Sequence, residues 1–495
     1  MSSEVLILCM FLFIFMTLFI GFPVAFTLSG ASLIFALIGH GFGHFDLNYF
    51  FLLPERIYGV FFNEALLAVP LFVFMGMLLE RSKISERLLL TMSKMFGSLR
   101  GGLGISVCLV GGLLAASTGI VGATVVTMGL ISLPAMLRSG YSPRLATGII
   151  CASGTLGQII PPSVVLVILG DVLSSSYQKA QLSLGNFAPD SVSVGDLFIG
   201  AIIPGSLLMV FYILYVLFIS YWKPERAPTP SKQESFKELW PEILAAMLPA
   251  LSLIILVLGS ILGGIATPTE AASVGVVGAL FLALYQKKLH WGLIKDSCLS
   301  TLETTAMVYT IFFGASVFSL VFRGLGGDDV IHHWFDQLGG GVNTAIFVVM
   351  VGTFLLGCFL DFFEIIFVMV PIVGPVLMKM GVDPVWLGVL LGINLQTSFL
   401  TPPFGFSLFY LRGVAPASVR TIDIYKGVIP FVLIQIAMLV LLQVFPEMVT
   451  WYKTLEVQHR QTQTPLEFRV GGDAPGVIPD LKSSDFDFDP SLIGN

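Results

Sequence analysis

Long apolar runs alternating with short polar connections dominate the chain. They fall at about 5–20, 24–39, 64–80, 102–137, 145–172, 193–221, 242–263, 268–285, 300–322, 342–378, 384–411 and 427–445. Most suit a single membrane-crossing helix, which needs about 20 mainly apolar residues. Residues 102–137, with GGLLAASTGIVGATVVTMG at the centre, and 342–378, with GTFLLGCFLDFFEIIFVMV, are too long for one span and too interrupted for two. Each predicts a helical hairpin whose tip stops inside the membrane, where irregular backbone survives only if protein or a cavity shields it. Segments 145–172 and 384–411 carry SGTLGQIIPPS (153–163) and NLQTSFLTPP (394–403). Adjacent prolines remove backbone donors and block helix continuation, so both segments predict broken helices.

This punctuation repeats. PAMLRSGYSP (134–143) aligns with PVLMKMGVDP (375–384), and the matches Pro134/Pro375, Arg138/Lys379, Gly140/Gly381 and Pro143/Pro384 share an offset of 241. The same offset carries Pro161-Pro162 onto Pro402-Pro403, and Pro23 pairs with Pro268 at an offset of 245. The pattern predicts an all-α polytopic membrane protein of two repeats: 1–221, with hairpin 102–137 and broken helix 145–172, and 241–445, with hairpin 342–378 and broken helix 384–411. A polar linker, 222–240, joins them on the cytoplasmic side, and 446–495 is an acidic polar tail expected to be disordered. Five spans plus one hairpin per half is an odd number of crossings, so the second repeat is inverted.

Charge tests this topology. With the N-terminus outside, 17 of the 25 Lys and Arg fall in inside loops; the other eight are Arg56, Lys179, Arg323, Lys379 and four in the tail. The positive-inside rule therefore puts both termini outside. Composition agrees with membrane residence: 56% of residues are hydrophobic and 11% charged. The net charge of −6 says little beside the distribution. Met1 to Glu4 carry no Lys or Arg, so the first run reads as a retained span rather than a cleaved signal. The five cysteines form no metal-binding spacing. No phosphate-binding loop or nucleophile–base constellation argues for an enzyme.

The chemistry concentrates at the breaks. Carbonyls freed by the prolines need partners in lipid. A bound cation is one solution, and the half-helix that follows favours an anion at its N-terminus. The alternative is a plain kink satisfied by neighbouring helices. The two hairpins and two broken helices contain no Lys or Arg, and their acids are Asp171, Asp361 and Glu364. An unpartnered carboxylate at such depth is costly and marks function; a hydrogen-bonded structural Asp361 is the other reading. Glu364 shares that role or faces water. Ser117, Thr118 and Thr124 occupy the first hairpin, and Ser153, Thr155, Ser163, Thr397 and Ser398 are candidate substrate contacts. His332-His333 lie in an external connection and point to different faces, so they do not suggest a shared metal. Segments 48–62 and 286–299 read as interfacial arms of a static frame.

GFPVAF (21–26), GIATPTEAASVG (264–275), GQIIPPS (157–163), GCFLD (357–361) and FLTPPFG (399–405) together resemble the large membrane subunit of tripartite ATP-independent periplasmic (TRAP) transporters, the DctM type, over residues 1–445. The resemblance implies an elevator-type fold, sodium coupling, a small four-helix DctQ-type membrane subunit and a periplasmic DctP-type binding protein that delivers a small carboxylate. It implies a multi-pass protein of the bacterial inner membrane. One sodium site would use Ser117 or Thr118 with backbone at Gly157, Ile160 and Pro162. The other would use Asp361 and Thr401 with backbone at Phe399 and Phe404. The alternative is a stand-alone ion-coupled carrier or antiporter of related fold.

Overall fold

The computed structural model describes residues 2–453, apart from 83, 97–98, 119–120, 190–191, 229–235 and 338. It is all-helical among these residues. The first half holds α1 (Ser3–Ile20), α2 (Val24–Gly41), α3 (Leu53–Phe61), α4 (Glu64–Arg81), α5 (Ile84–Met95), α6 (Gly102–Thr118), α7 (Val121–Arg138), α8 (Pro143–Thr155), α9 (Val164–Ser183) and α10 (Val194–Trp222). The second holds α11 (Phe236–Leu262), α12 (Pro268–Tyr285), α13 (Trp291–Gly324), α14 (Gly327–Gln337), α15 (Gly341–Gly357), α16 (Phe362–Lys379), α17 (Pro384–Phe399), α18 (Phe406–Val414) and α19 (Thr421–Val444). Among the described residues, eight helices are long and apolar enough to cross a membrane, or nine if α4 and the bent segment before it count as one span.

Local signals explain the helix starts. Ser142 caps α8 and Asp383 caps α17, each followed by proline at the first helical position, where the missing N–H costs nothing. Thr267 and Glu270 form a capping box at α12. Pro23 is the N-cap of α2 whereas Pro268 is the first residue of α12, so this pair lies one position out of register.

Burial sorts the helices. Every residue of α17 is buried, as are Leu145–Thr155 of α8. The outer helices keep large side chains exposed, among them Phe26 on α2, Phe281 on α12 and Leu433 on α19. With no hydrophobic penalty from lipid tails, such faces are at home in a bilayer. Inside, α8 and α19 approach until a Cβ on Gly148 would run into the Gly427 carbonyl and one on Gly427 into the Arg144 carbonyl. This is the small-residue contact that membrane helices favour. Trp386 Nε1 donates to the Leu442 carbonyl (2.9 Å), fixing α17 to α19.

Several elements differ from the sequence expectation. Residues 286–299 do not form a separate arm: from Trp291 they continue into α13, whose 34 residues make a rod about 51 Å long. In the first half the corresponding segment bends by 47° into α4. The connection containing His332 and His333 is the helix α14. The last residues of the 222–240 linker begin α11. The tail starts later than expected, because residues 447–452 are helical and Val449 is buried against Gly200. The disorder expected of the tail falls on 454–495, outside the described residues.

Candidate transport site

Each expected hairpin segment is a pair of helices in contact: α6 and α7 end and begin on either side of residues 119–120, which lie outside the described residues, and α15 and α16 on either side of Cys358–Asp361. Both expected broken helices are present too. In the first, α8 tightens into a 3₁₀ turn, Leu156–Gln158, ahead of Pro161-Pro162. The Ile159 and Ile160 amides both donate to the Leu156 carbonyl (3.1 and 2.9 Å). Ser163 donates to the Gln158 carbonyl (2.9 Å) and accepts from the Leu166 amide (3.5 Å), capping α9. Residues 153–163 are buried apart from Ile160, which is half-buried. Gly112 of α6 faces Ile160 and Leu156, so the first hairpin packs on the turn containing Gly157, Ile160 and Pro162. Ser117 and Thr118 end α6 beside the tip; their side chains lie outside the described residues.

In the second broken helix, α17 and α18 are separated by 400–405, which contains Pro402-Pro403. Both proline pairs are joined by cis peptides. Thr397, Ser398 and Thr401 donate to the Ile393, Leu395 and Thr397 carbonyls (2.7, 2.7 and 2.9 Å), as hydroxyls in helices commonly do. Asp361 is not without partners. It is the N-cap of α16, accepting from the Phe362 amide (2.7 Å), while Glu364 accepts from the Asp361 amide (3.2 Å) in a capping box. The tip bearing it packs on the break: Phe359 meets Phe404 with ring centroids 5.6 Å apart, and Phe362 meets Phe399 at 6.2 Å. Asp361 therefore sits in the segment that contacts the loop of Thr401 and Phe404.

The two breaks also meet each other. Gln396 Nε2 donates to Thr155 Oγ1 (3.3 Å) and Tyr212 Oη (3.5 Å), and Gln435 donates to the same tyrosine (2.7 Å). Thr155 and Gln396 are separated by 241 positions, the repeat offset. The halves match in their hairpin contacts as well. A Cβ on Gly111 of α6 would come within 2.6 Å of Ser153 Cβ. At the offset positions, Asn394 donates to the Met350 carbonyl (2.8 Å) and Thr353 Oγ1 (2.7 Å) of α15. Ser398 packs on Gly357, whose added Cβ would lie 2.7 Å from the serine Cβ.

Ser153, Thr155, Ser163, Thr397 and Ser398 are fully buried. The structure gathers them around the breaks but places none on the wall of a described cavity. Beside the second break lies an apolar cavity of about 350 Å³ lined by Phe404, Phe406, Phe359 and residues of α1. Four residues not singled out from sequence complete the polar centre: Gln158, Gln396, Gln435 and Tyr212. Both amide atoms of Gln158 and the amide oxygens of Gln396 and Gln435 are buried with no protein partner. Such groups are costly unless something polar joins them. Glutamine inside an apolar run was the available signal.

The solved YdaH transporter of Alcanivorax borkumensis superposes with a TM-score of 0.56 over 81% of this chain and 88% of its own, at 16% identity, a likeness of fold. Among sequence relatives, the C4-dicarboxylate TRAP transporter large permease protein DctM of Rhodobacter capsulatus is 30% identical over 390 residues, covering 77% of this chain and 85% of that protein. The sialic acid TRAP transporter large permease protein SiaM of Vibrio cholerae is 29% identical over 433 residues, 87% of this chain and 94% of its own. The family model for the DctM component of tripartite ATP-independent periplasmic transporters matches residues 11–448, and the chain belongs to that family: it is a multi-pass membrane permease of the TRAP type, not an enzyme.

Proposed function

We propose that the chain is the large permease subunit of a sodium-coupled importer that takes a small organic acid from a periplasmic binding protein and works with a small DctQ-type membrane subunit. The observation that carries this reading is the pair of proline-broken helices, each packed against a hairpin, whose central segments 145–172 and 384–411 contain no basic side chain. An acid crossing such a core needs cations that travel with it. The donor chemistry at the second tip fits a hard cation: the Asp361 carboxylate, the Thr401 hydroxyl, and backbone carbonyls at Phe399 and Phe404, all oxygen ligands. The first site would draw on Ser117 or Thr118 and on backbone at Gly157, Ile160 and Pro162. The Gln158 amide, buried beside it without a protein partner, adds a further oxygen.

Organic acids are the substrates named for the relatives, C4-dicarboxylates and sialic acid among them. The halves act as inverted repeats, and the hairpins and broken helices move as one body against the outer frame, elevator fashion. Both termini face the periplasm. Arg81 lies 3.8 Å from Asp296 and 2.7 Å from Ser300, which supports assigning these loops to one side, the cytoplasmic one.

Thermal stability of the purified chain in sodium against potassium, at equal ionic strength, tests the coupling ion. A cation that binds only the folded state at ten times its Kd stabilises it by about 1.4 kcal/mol. Sodium-specific stabilisation that shrinks in Asp361→Asn is the expected result. Identical curves in the two salts would remove sodium from the sites.

A further inference from the structure

Three of the four basic residues outside the tail that the topology leaves on the outer side, Arg56, Lys179 and Arg323, converge in the structure. They line a cavity of about 370 Å³ away from both breaks. Arg56 comes from α3, Lys179 from the C-terminal part of α9, and Arg323 from the end of α13. The charges are close enough to act on one another. Two nearby acids, Asp171 and Asp328, offset part of this charge and leave three cations to two carboxylates. Asp171 is the one acidic residue on the wall, and its carboxylate is already held by Asn63, whose Nδ2 donates to Oδ1 at 2.8 Å. Asn63 is itself fixed, because its oxygen caps α4. Arg323 reaches Asp328 at 3.6 Å. Arg56 and Lys179 make no ion pair with the described residues.

Like charges facing one space repel, and the repulsion is relieved by an anion between them. The wall is not uniformly polar. Phe312 and Phe367 contribute ring surface and Ser319 a hydroxyl. A few convergent polar groups on an apolar lining, at this volume, suit a small organic molecule better than a bare inorganic ion.

We propose that this cavity binds a small soluble carboxylate, its anionic oxygens held by Arg56, Lys179 and Arg323. The site is separate from the breaks, and it joins elements of the outer frame (α3, α13 and Asn63, the cap of α4) to elements of the broken-helix core (α9 and α16). It rests on the import reading only for the class of anion. Its test measures binding rather than uptake, so the two stand or fall separately.

The full chain, in nanodiscs of phosphatidylcholine, is titrated with succinate at constant ionic strength while heat release and melting temperature are followed. Succinate should bind and raise the melting temperature. Lys179→Gln and Arg56→Gln should each weaken it tenfold or more, and Lys179→Arg should restore it. Removing one of three repelling charges should leave the melting temperature without succinate unchanged or higher; a fall in both variants would mean that the cations are structural and overturn the proposal. No binding by the wild type, or equal affinity in both Gln variants, would also overturn it. Stabilisation seen only when phosphatidylglycerol replaces phosphatidylcholine would assign the cavity to a lipid headgroup instead.

Discussion

The two breaks carry the same proline pair at the same register, yet one is sealed and the other open. Around the first, Pro161, Pro162 and Ser163 are buried. Around the second, Pro402 and Pro403 are exposed and Phe404 retains 59% of its accessible surface. Their caps differ as well. Ser163 turns its hydroxyl into the N-terminus of α9. α18 begins instead at Gly405, with φ of +49° and no side-chain cap. The partner tips differ in charge: the second carries Asp361 and Glu364, whereas residues 102–137 contain no acid. Repeated sequence thus supplies a shared scaffold, and the residues beside the prolines decide which break is plugged by protein and which stays reachable.

The largest expected effect comes from the charge difference. Asp361→Asn should abolish sodium-driven uptake in proteoliposomes containing the small subunit, binding protein and acid, while the variant still elutes as a folded species. Full uptake would remove the carboxylate from the coupling mechanism. Exposure comes next. In a background lacking the native cysteines, Phe404→Cys should react with a soluble maleimide roughly 100-fold faster than Ser163→Cys, whose labelling must await local opening. Equal rates would erase the sealed-versus-open distinction.

The caps should separate by smaller amounts. Gly405→Ala should cost about 1–2 kcal/mol, because a side chain is strained at positive φ and the new Cβ would lie 2.9 Å from the Thr401 carbonyl. Ser163→Ala should cost about 1 kcal/mol as a lost cap. The smallest effect is expected where the breaks touch: Gln396→Leu removes two long hydrogen bonds, to Thr155 and Tyr212, together with an amide oxygen that has no protein partner, for about 0.5 kcal/mol, and thermal melts of the three variants check the order.

Much of this architecture was legible from punctuation. Paired prolines, the hairpin-length apolar runs and the offset of 241 all survive as helix breaks, tips and matched contacts. Asp361-Phe-Phe-Glu364 also spells a capping box, so its helix-starting role was readable beside its depth. What sequence hid has physical causes. α5 and α14 are short helices carrying several charged residues, invisible to a reading keyed to long apolar runs. Lys295, Asp296 and Glu303 interrupt the apolar pattern of α13, which made one continuous rod look like an arm followed by a span. The cationic cavity draws Arg56, Lys179 and Arg323 from three distant segments, and only folding brings them together.

The Thr155–Gln396 bond carries one more implication, on the two-repeat reading. Where equivalent positions touch, an ancestor assembled from two identical chains would have had to face a residue with its own copy. A single side chain meeting itself on a symmetry axis must serve as donor and acceptor at once. In a single fused chain that constraint is absent, and the two positions are free to differ, here as a hydroxyl acceptor and an amide donor. The axis is thus the first place where such a protein can lose its symmetry without losing its fold, and a chain with threonine or glutamine at both positions would show how far that divergence has become indispensable.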